Sequence, residues 1–174
     1  MALLPIITVP DPLLKDIAHP IEHITEAVKK QAQDMLDTMY DAPGVGLAAN
    51  QVGMLNRLFV MDIDYRKEPE TRSPIVMINP EIIWRSEEIS IMEEGCLSIP
   101  EQYGDVERPQ SVRVKYIDLS GQSREWIGED LGSHCAQHEI DHLNGILFID
   151  YLSRLKRNMI LKRMTKLKKD NLIL

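Results

Sequence analysis

The sequence predicts an α+β domain in which small mixed or antiparallel β-sheets surround one central helix, with a further helix at the C-terminus. Three observations lead there. Short apolar or alternating runs, Leu58 to Ile63, Ile75 to Ile78 and Val112 to Ile117, have the length and period of strands. The stretch Thr25 to Tyr40 and the segment 152–170 repeat apolar residues at helical spacing. Finally, Gln137-His138-Glu139-Ile140-Asp141-His142 reads H-E-x-x-H, and its flanks from Asp130 to Gly145 suit a single helix that ends at a glycine.

Taken in order, Thr8 to Leu14 is an extended entry followed by a turn and a short helical segment. Thr25 caps the next helix, whose Ala27, Val28, Ala32, Met35, Leu36 and Met39 should face a core, and Asp41-Ala42-Pro43-Gly44 stops it. Leu58 to Ile63 and Ile75 to Ile78 read as buried strands joined by a polar loop from Asp64 to Pro74. Pro80 should break the second strand, with Ile82 to Trp84 and Ile89 to Met92 carrying the β character on. Val112 to Ile117 and Arg124 to Ile127 should pair as a hairpin about Asp118-Leu119-Ser120-Gly121. The terminal helix should place Leu152, Leu155, Met159, Met164 and Leu167 on roughly one face.

Residues 1–174 read as one domain, because no repeat, low-complexity run or linker divides the chain and its 44% hydrophobic content can supply one core. The apolar opening Met1 to Ile7 has no basic residue before it and is interrupted by prolines, so it does not read as a signal peptide. No apolar run approaches membrane-spanning length. Two widely separated cysteines, Cys96 and Cys135, offer no disulfide framework, which fits a reducing compartment; the cytoplasm is the expected location. The net charge of −7 conceals an asymmetry. From Arg154 onward Arg154, Lys156, Arg157, Lys162, Arg163, Lys166, Lys168 and Lys169 face Asp170 alone, so an acidic body carries a basic tail. Such a tail suits an anionic partner, or a solvated helix laid against its own acidic body.

Two histidines four residues apart lie on the same face of a helix and can reach one metal ion, with Glu139 placed to handle a proton on a nearby water. A helix with two core histidines and a solvated glutamate is the bland alternative, since a bare H-E-x-x-H also arises by chance. A catalytic site of this kind needs a third protein ligand and one open position. Phe148 stands where a downstream histidine would be needed, and no histidine or glutamate follows His142. The third ligand must therefore come from upstream: Cys96, Cys135, His134, His19, His23 or a carboxylate. Cys135 is seven residues from His142, about 10.5 Å of helical rise, which is too far for one helix to supply all three. Cys96 follows Gly95 and lies far enough away to fold back, although a lone cysteine is equally a small buried hydrophobe. Gly44-Val45-Gly46-Leu47-Ala48-Ala49-Asn50-Gln51 leaves backbone open to a ligand, toward which Gln51 can point an NH₂ donor.

Read together, Gly44 to Gln51, Glu94-Gly95-Cys96-Leu97-Ser98 and Gln137 to His142 resemble the three signature motifs of the peptide deformylases, in order and in approximate spacing. The flanks Pro10-Asp11, Ile99-Pro100-Glu101-Gln102 and Leu143-Asn144-Gly145 resemble the family as well. The resemblance implies a metal-dependent hydrolase that removes the N-terminal formyl group from N-formylmethionyl nascent chains and releases formate. It implies one divalent ion on Cys96, His138 and His142, usually Fe²⁺, with Zn²⁺, Ni²⁺ or Co²⁺ as substitutes. Glu139 would move the proton, while the Gln51 amide and the Leu97 backbone N–H would meet the oxyanion. Substrate would add as a strand along Val45, Gly46 and Gly95. Its methionine would enter a pocket near Val45, Met92, Leu131, His134, Cys135 and His138. His134 stands where an apolar residue is usual in the family, and Tyr103 where arginine is frequent. A Glu94–Arg108 pair should steady the cysteine segment. Some relatives dock on the ribosome through a C-terminal helix, which gives the basic tail a candidate partner in ribosomal RNA; a monomer is expected. The rival readings are a zinc endopeptidase on the same H-E-x-x-H logic and, more distantly, a non-enzymatic RNA-binding protein with a structural metal.

Overall fold

The computed structural model describes residues 2–68 and 70–173. In chain order its elements are α1 (Glu26–Asp41), β1 (Gly46–Ala48), β2 (Leu58–Met61), β3 (Ile75–Arg85), β4 (Ile89–Cys96), β5 (Ile99–Pro109), β6 (Ser111–Ile117), β7 (Ser123–Glu129), α2 (Leu131–Leu143) and α3 (Arg154–Lys169). Single 3₁₀ turns occupy Pro12–Lys15, Ala49–Val52 and Phe148–Tyr151. Five strands form one sheet in the order β1-β2-β3-β6-β7, and β4 and β5 form a separate two-stranded hairpin. All of these pairings are antiparallel, so the α+β class holds and the alternative of mixed sheets narrows to antiparallel ones.

Strand β2 explains the layering. Phe59 and Met61 point into a cluster with Met77, Val112 and Val114 that also takes Ala136, Ile140 and Leu143 from α2. Leu58 and Val60, on the opposite face, join Leu47, Ile78 and the α1 residues Val28, Met35, Leu36 and Met39. The sheet is therefore covered on both sides at this strand, which is why Leu58 to Met61 is a continuous apolar run rather than an alternating one. Thr25 caps α1 by accepting from the Val28 N–H, as its sequence suggests. The hairpin of β6 and β7 also forms as expected.

Two expectations need correction. Pro80 does not end a strand: β3 runs through it, with a register shift between Ile78 and Glu81. Asn79 adopts φ 49°, and its side chain donates to and accepts from the Ile21 backbone at 2.8 Å. A bulge thus absorbs a residue that has no N–H to give to the ladder. On α3 the buried residues are Ile160 and Met164, whereas Leu155 is 74% and Met159 59% exposed. The helix turns its Ile160–Met164 stripe to the core and leaves Leu155 and Met159 exposed.

The N-terminal segment ties the parts together. Ile7 donates to the Gln51 carbonyl at 2.8 Å, Val9 to that of Ser98 at 3.0 Å, and Ala18 to that of Leu143 at 2.8 Å. Past the end of α2, Gly145 has φ 73°, and a Cβ there would stand 2.3 Å from the Lys15 carbonyl oxygen, so glycine is required.

Candidate active site

Helix α2 carries the histidines, and burial on both sides of it fixes their directions. His138 and His142 are both buried, with ring centroids 5.0 Å apart. Cys96 ends β4, just past an irregularity between Glu94 and Cys96 that turns the strand toward α2. The sulfur lies 3.2 Å from His142 Nε2, and one ligand atom from each of Cys96, His138 and His142 falls within 4.8 Å of the others. This donor set, one sulfur and two imidazoles, fits a divalent transition ion. Burial would lower the His138 pKa, yet hydrogen bonds to Cys96 and Glu94 push it well above its ordinary value. Burial pushes His142 down and keeps it neutral, the form in which imidazole binds metal.

Glu94 organises the cluster from behind. Its Oε1 meets His138 Nδ1 at 2.9 Å, which leaves His138 Nε2 for the ion. Arg108 donates to both Glu94 oxygens, at 2.6 and 3.0 Å, so the expected Glu94–Arg108 pair is present. Burial would raise the Glu94 pKa, but hydrogen bonds from His134, His138 and Arg108 hold it well below the usual carboxylate range.

Glu139 is buried beside the cluster, and its Oε2 has no partner among the described residues. Burial pushes its carboxyl up to about 7, where it can both take and return a proton near neutral pH. Gly46 leaves it room: a Cβ there would come within 2.6 Å of Glu139 Oε1. Gln51 is held with Oε1 accepting from the Ala48 N–H at 2.9 Å, while Nε2 points at Ser98 Oγ (3.1 Å) and Cys96 Sγ (3.4 Å).

A cleft of about 750 Å³ opens onto these groups. Val45, Gly46, Gln51, Gly95, Cys96, Leu97, Leu131, His134, Cys135, His138 and Glu139, all anticipated from the sequence, line it. Met92 is not among the lining residues; it stands half-buried on the β4 hairpin face, opposite Val106. Cys135 is no ligand: its thiol faces the Val45 carbonyl at 3.7 Å, and burial raises its pKa well above normal. His142 lies behind the cleft wall and reaches the cluster from within the protein. The sequence reading missed Arg66 and Lys67 at the mouth, because Asp64 to Pro74 carries only the signal of a polar loop. That loop is anchored by Tyr65, whose hydroxyl donates to the Gly44 carbonyl at 2.6 Å.

The polypeptide deformylase family model matches residues 3–158. This chain belongs to the peptide deformylase family. A peptide deformylase from Mesorhizobium japonicum is 54% identical over 170 residues, covering 98% of this chain and 96% of the relative. The crystal structure of the Ehrlichia chaffeensis peptide deformylase superposes with a TM-score of 0.92 at 36% identity, covering 99% of this chain and all of that one. A structure of the same organism's enzyme in complex with actinonin matches at TM-score 0.90 and 38% identity, over 95% of this chain and 98% of that one. The chain is thus a deformylase-type hydrolase that removes the N-terminal formyl group from N-formylmethionyl polypeptides. The peptide deformylase family is metal-dependent, and Cys96, His138 and His142 form the group able to hold the ion here. Among the described residues no helix is long and apolar enough to cross a membrane.

Proposed function

We propose that deformylation in this chain is carried out by Glu139, Gln51 and Leu97 around a single Fe²⁺ held by Cys96, His138 and His142. The observation that carries this reading is the convergence of one sulfur and two imidazoles beside a buried carboxylate whose Oε2 has no hydrogen-bond partner among the described residues. An ion held by these three residues would supply Lewis-acid activation of a water near neutral pH. Glu139 accepts the proton of that water as it attacks the formyl carbon, then returns it to the departing methionine amine; formate leaves. The oxyanion meets the Gln51 Nε2–H, already directed at the Cys96 sulfur, and the Leu97 backbone N–H at the tip of the β4–β5 hairpin. Substrate adds as a strand beside Val45, Gly46 and Gly95, with methionine directed toward Leu131, His134 and Cys135. Pairing through backbone accepts many sequences, which suits nascent chains of every kind. Tyr103 lies over Gly95, where a Cβ would meet its ring at 2.7 Å, and so shapes the outer part of that strand's path in place of an arginine.

The chain works as a monomeric cytoplasmic domain, and its α3 docks on ribosomal RNA. Among the described residues Arg154, Lys156, Lys162, Lys166 and Lys169 make no ion pair, and Leu155 and Met159 are exposed on the same helix. Anaerobic purification with metal analysis, coupled to formate release from a formylmethionyl dipeptide, tests the assignment. One iron per chain and stoichiometric formate are expected; cleavage of internal peptide bonds without formate would favour the endopeptidase instead.

A further inference from the structure

His134 follows the same spacing as the two ligating histidines, one turn upstream of His138, yet it does not join the metal cluster. Both of its ring nitrogens are taken. Nδ1 lies 2.9 Å from Glu94 Oε2, and Nε2 lies 2.8 Å from Ser90 Oγ. Ser90 and Glu94 are four residues apart on β4 and so project from one face of that strand, toward α2. The His134 ring is thereby pinned between two points of the hairpin and is only 2% exposed.

The consequence falls on Glu94. An ionised carboxylate only accepts hydrogen bonds, and here each oxygen accepts two. Oε1 takes His138 Nδ1 at 2.9 Å and Arg108 Nη2 at 3.0 Å, while Oε2 takes His134 Nδ1 at 2.9 Å and Arg108 Nε at 2.6 Å. Arg108 fixes the plane of the carboxylate, and His134 occupies the lobe that His138 does not use. Without His134 the Oε2 lobe keeps a donor on one side only, and the carboxylate can pivot about the arginine.

We propose that His134 is a positioning residue: together with Ser90 it locks Glu94 so that a single oxygen is offered to His138, which aims the opposite nitrogen of His138 at the metal position. This rests on the reading that Cys96, His138 and His142 hold the ion. It gives His134 a role that contact with substrate alone would not.

The test uses the full chain loaded with Co²⁺, whose visible absorption reports ligand geometry, and follows release of Co²⁺ to a chelator. His134→Ile removes both ring contacts and is expected to shift the spectrum and to speed release by about tenfold or more, the usual effect of losing a partner behind a metal ligand. His134→Asn restores a donor near the Nδ1 position and should return the spectrum and release rate close to those of the unsubstituted chain. His134→Gln places its amide near the Nε2 position instead and should behave like the isoleucine variant. An isoleucine variant with unchanged spectrum and release rate overturns the proposal. So do three variants equally impaired and equally lowered in melting temperature, which would mark His134 as packing alone. If the unsubstituted chain shows no Cys96-dependent cobalt absorption, the metal reading fails first, and this proposal falls with it.

Discussion

Arg108 grips Glu94 through two hydrogen bonds, Nε to Oε2 at 2.6 Å and Nη2 to Oε1 at 3.0 Å, and its third nitrogen reaches Asp141 Oδ2 at 2.9 Å. Tyr151 closes the arrangement by donating to the same Asp141 oxygen at 2.7 Å, with its ring 4.8 Å below the guanidinium. Arg108 is 3% exposed and Glu94 7%. Arg108→Met leaves Glu94 buried without its counter-charge, and removing one partner of a buried pair costs about 3–5 kcal/mol. Urea unfolding of the two chains measures it; a loss under about 1 kcal/mol, the scale of a surface pair, would mean that the pair is effectively solvated.

Glu94 also gives the fold an acid limit. Its folded-state pKa lies well below the ordinary value, because hydrogen bonds from His134, His138 and Arg108 outweigh the burial that would raise it. At pH values around the ordinary glutamate range, about 4.3, the unfolded chain therefore binds more protons than the folded one. The stabilisation is complete above that range and is lost as pH falls toward the folded-state value. Unfolding midpoints between neutrality and roughly pH 3 should drop on the acid side, and Glu94→Gln, although weaker at neutral pH, should show a shallower acid slope.

Glu139→Ala should keep its metal and lose turnover. General acid–base groups of this kind contribute about 10² to 10⁴ in rate. Metal content and formate release measured on one preparation separate the two effects; normal activity with normal metal would remove Glu139 from the reaction.

Gly46→Ala acts on the same group from across the cleft. The new methyl would stand 2.6 Å from Glu139 Oε1 and 3.0 Å from Cys135 Sγ, so the carboxylate must move. A displacement of about 1 Å at a reacting group costs on the order of 10² in rate. Formate release should fall to that extent while the thermal midpoint changes little.

For the basic helix, reversing charge is a cleaner probe than truncation, because Ile160 and Met164 belong to a buried cluster with Val9, Leu14 and Phe148. Lys162, Lys166 and Lys169 replaced together by glutamate should weaken ribosome pelleting and flatten its salt dependence. Unchanged, salt-insensitive pelleting would count against RNA as the partner.

Much of the site was legible because its chemistry demands residue types at fixed spacing. His138, Glu139 and His142 declare themselves within one helix, while Cys96 stands among several upstream candidates until the three motifs are read together and their resemblance to the deformylases singles it out. The Glu94–Arg108 pair could be anticipated from two charges in the cysteine segment and the strand after it. Met92, expected at the methionine pocket, does not line the cleft, because where it stands depends on the register of β4 and β5 and on how the hairpin packs, which its own residue type does not reveal. The Pro80 bulge was hidden for a similar reason: Asn79 is held by the distant Ile21 backbone, and local propensity carries no trace of that. On α3, Leu155 and Met159 follow helical spacing as well as Ile160 and Met164 do, and only packing decides which pair turns inward.

The opening segment of the chain touches Gln51, Ser98 and Leu143 in turn, one contact for each part of the sequence that builds the centre. The third of these contacts falls on Leu143, the last residue of the helix that bears both imidazoles. A cut between Val9 and Ala18 would separate the piece that holds Gln51 and Ser98 from the piece that holds Leu143, so only non-covalent packing would then keep the three in register.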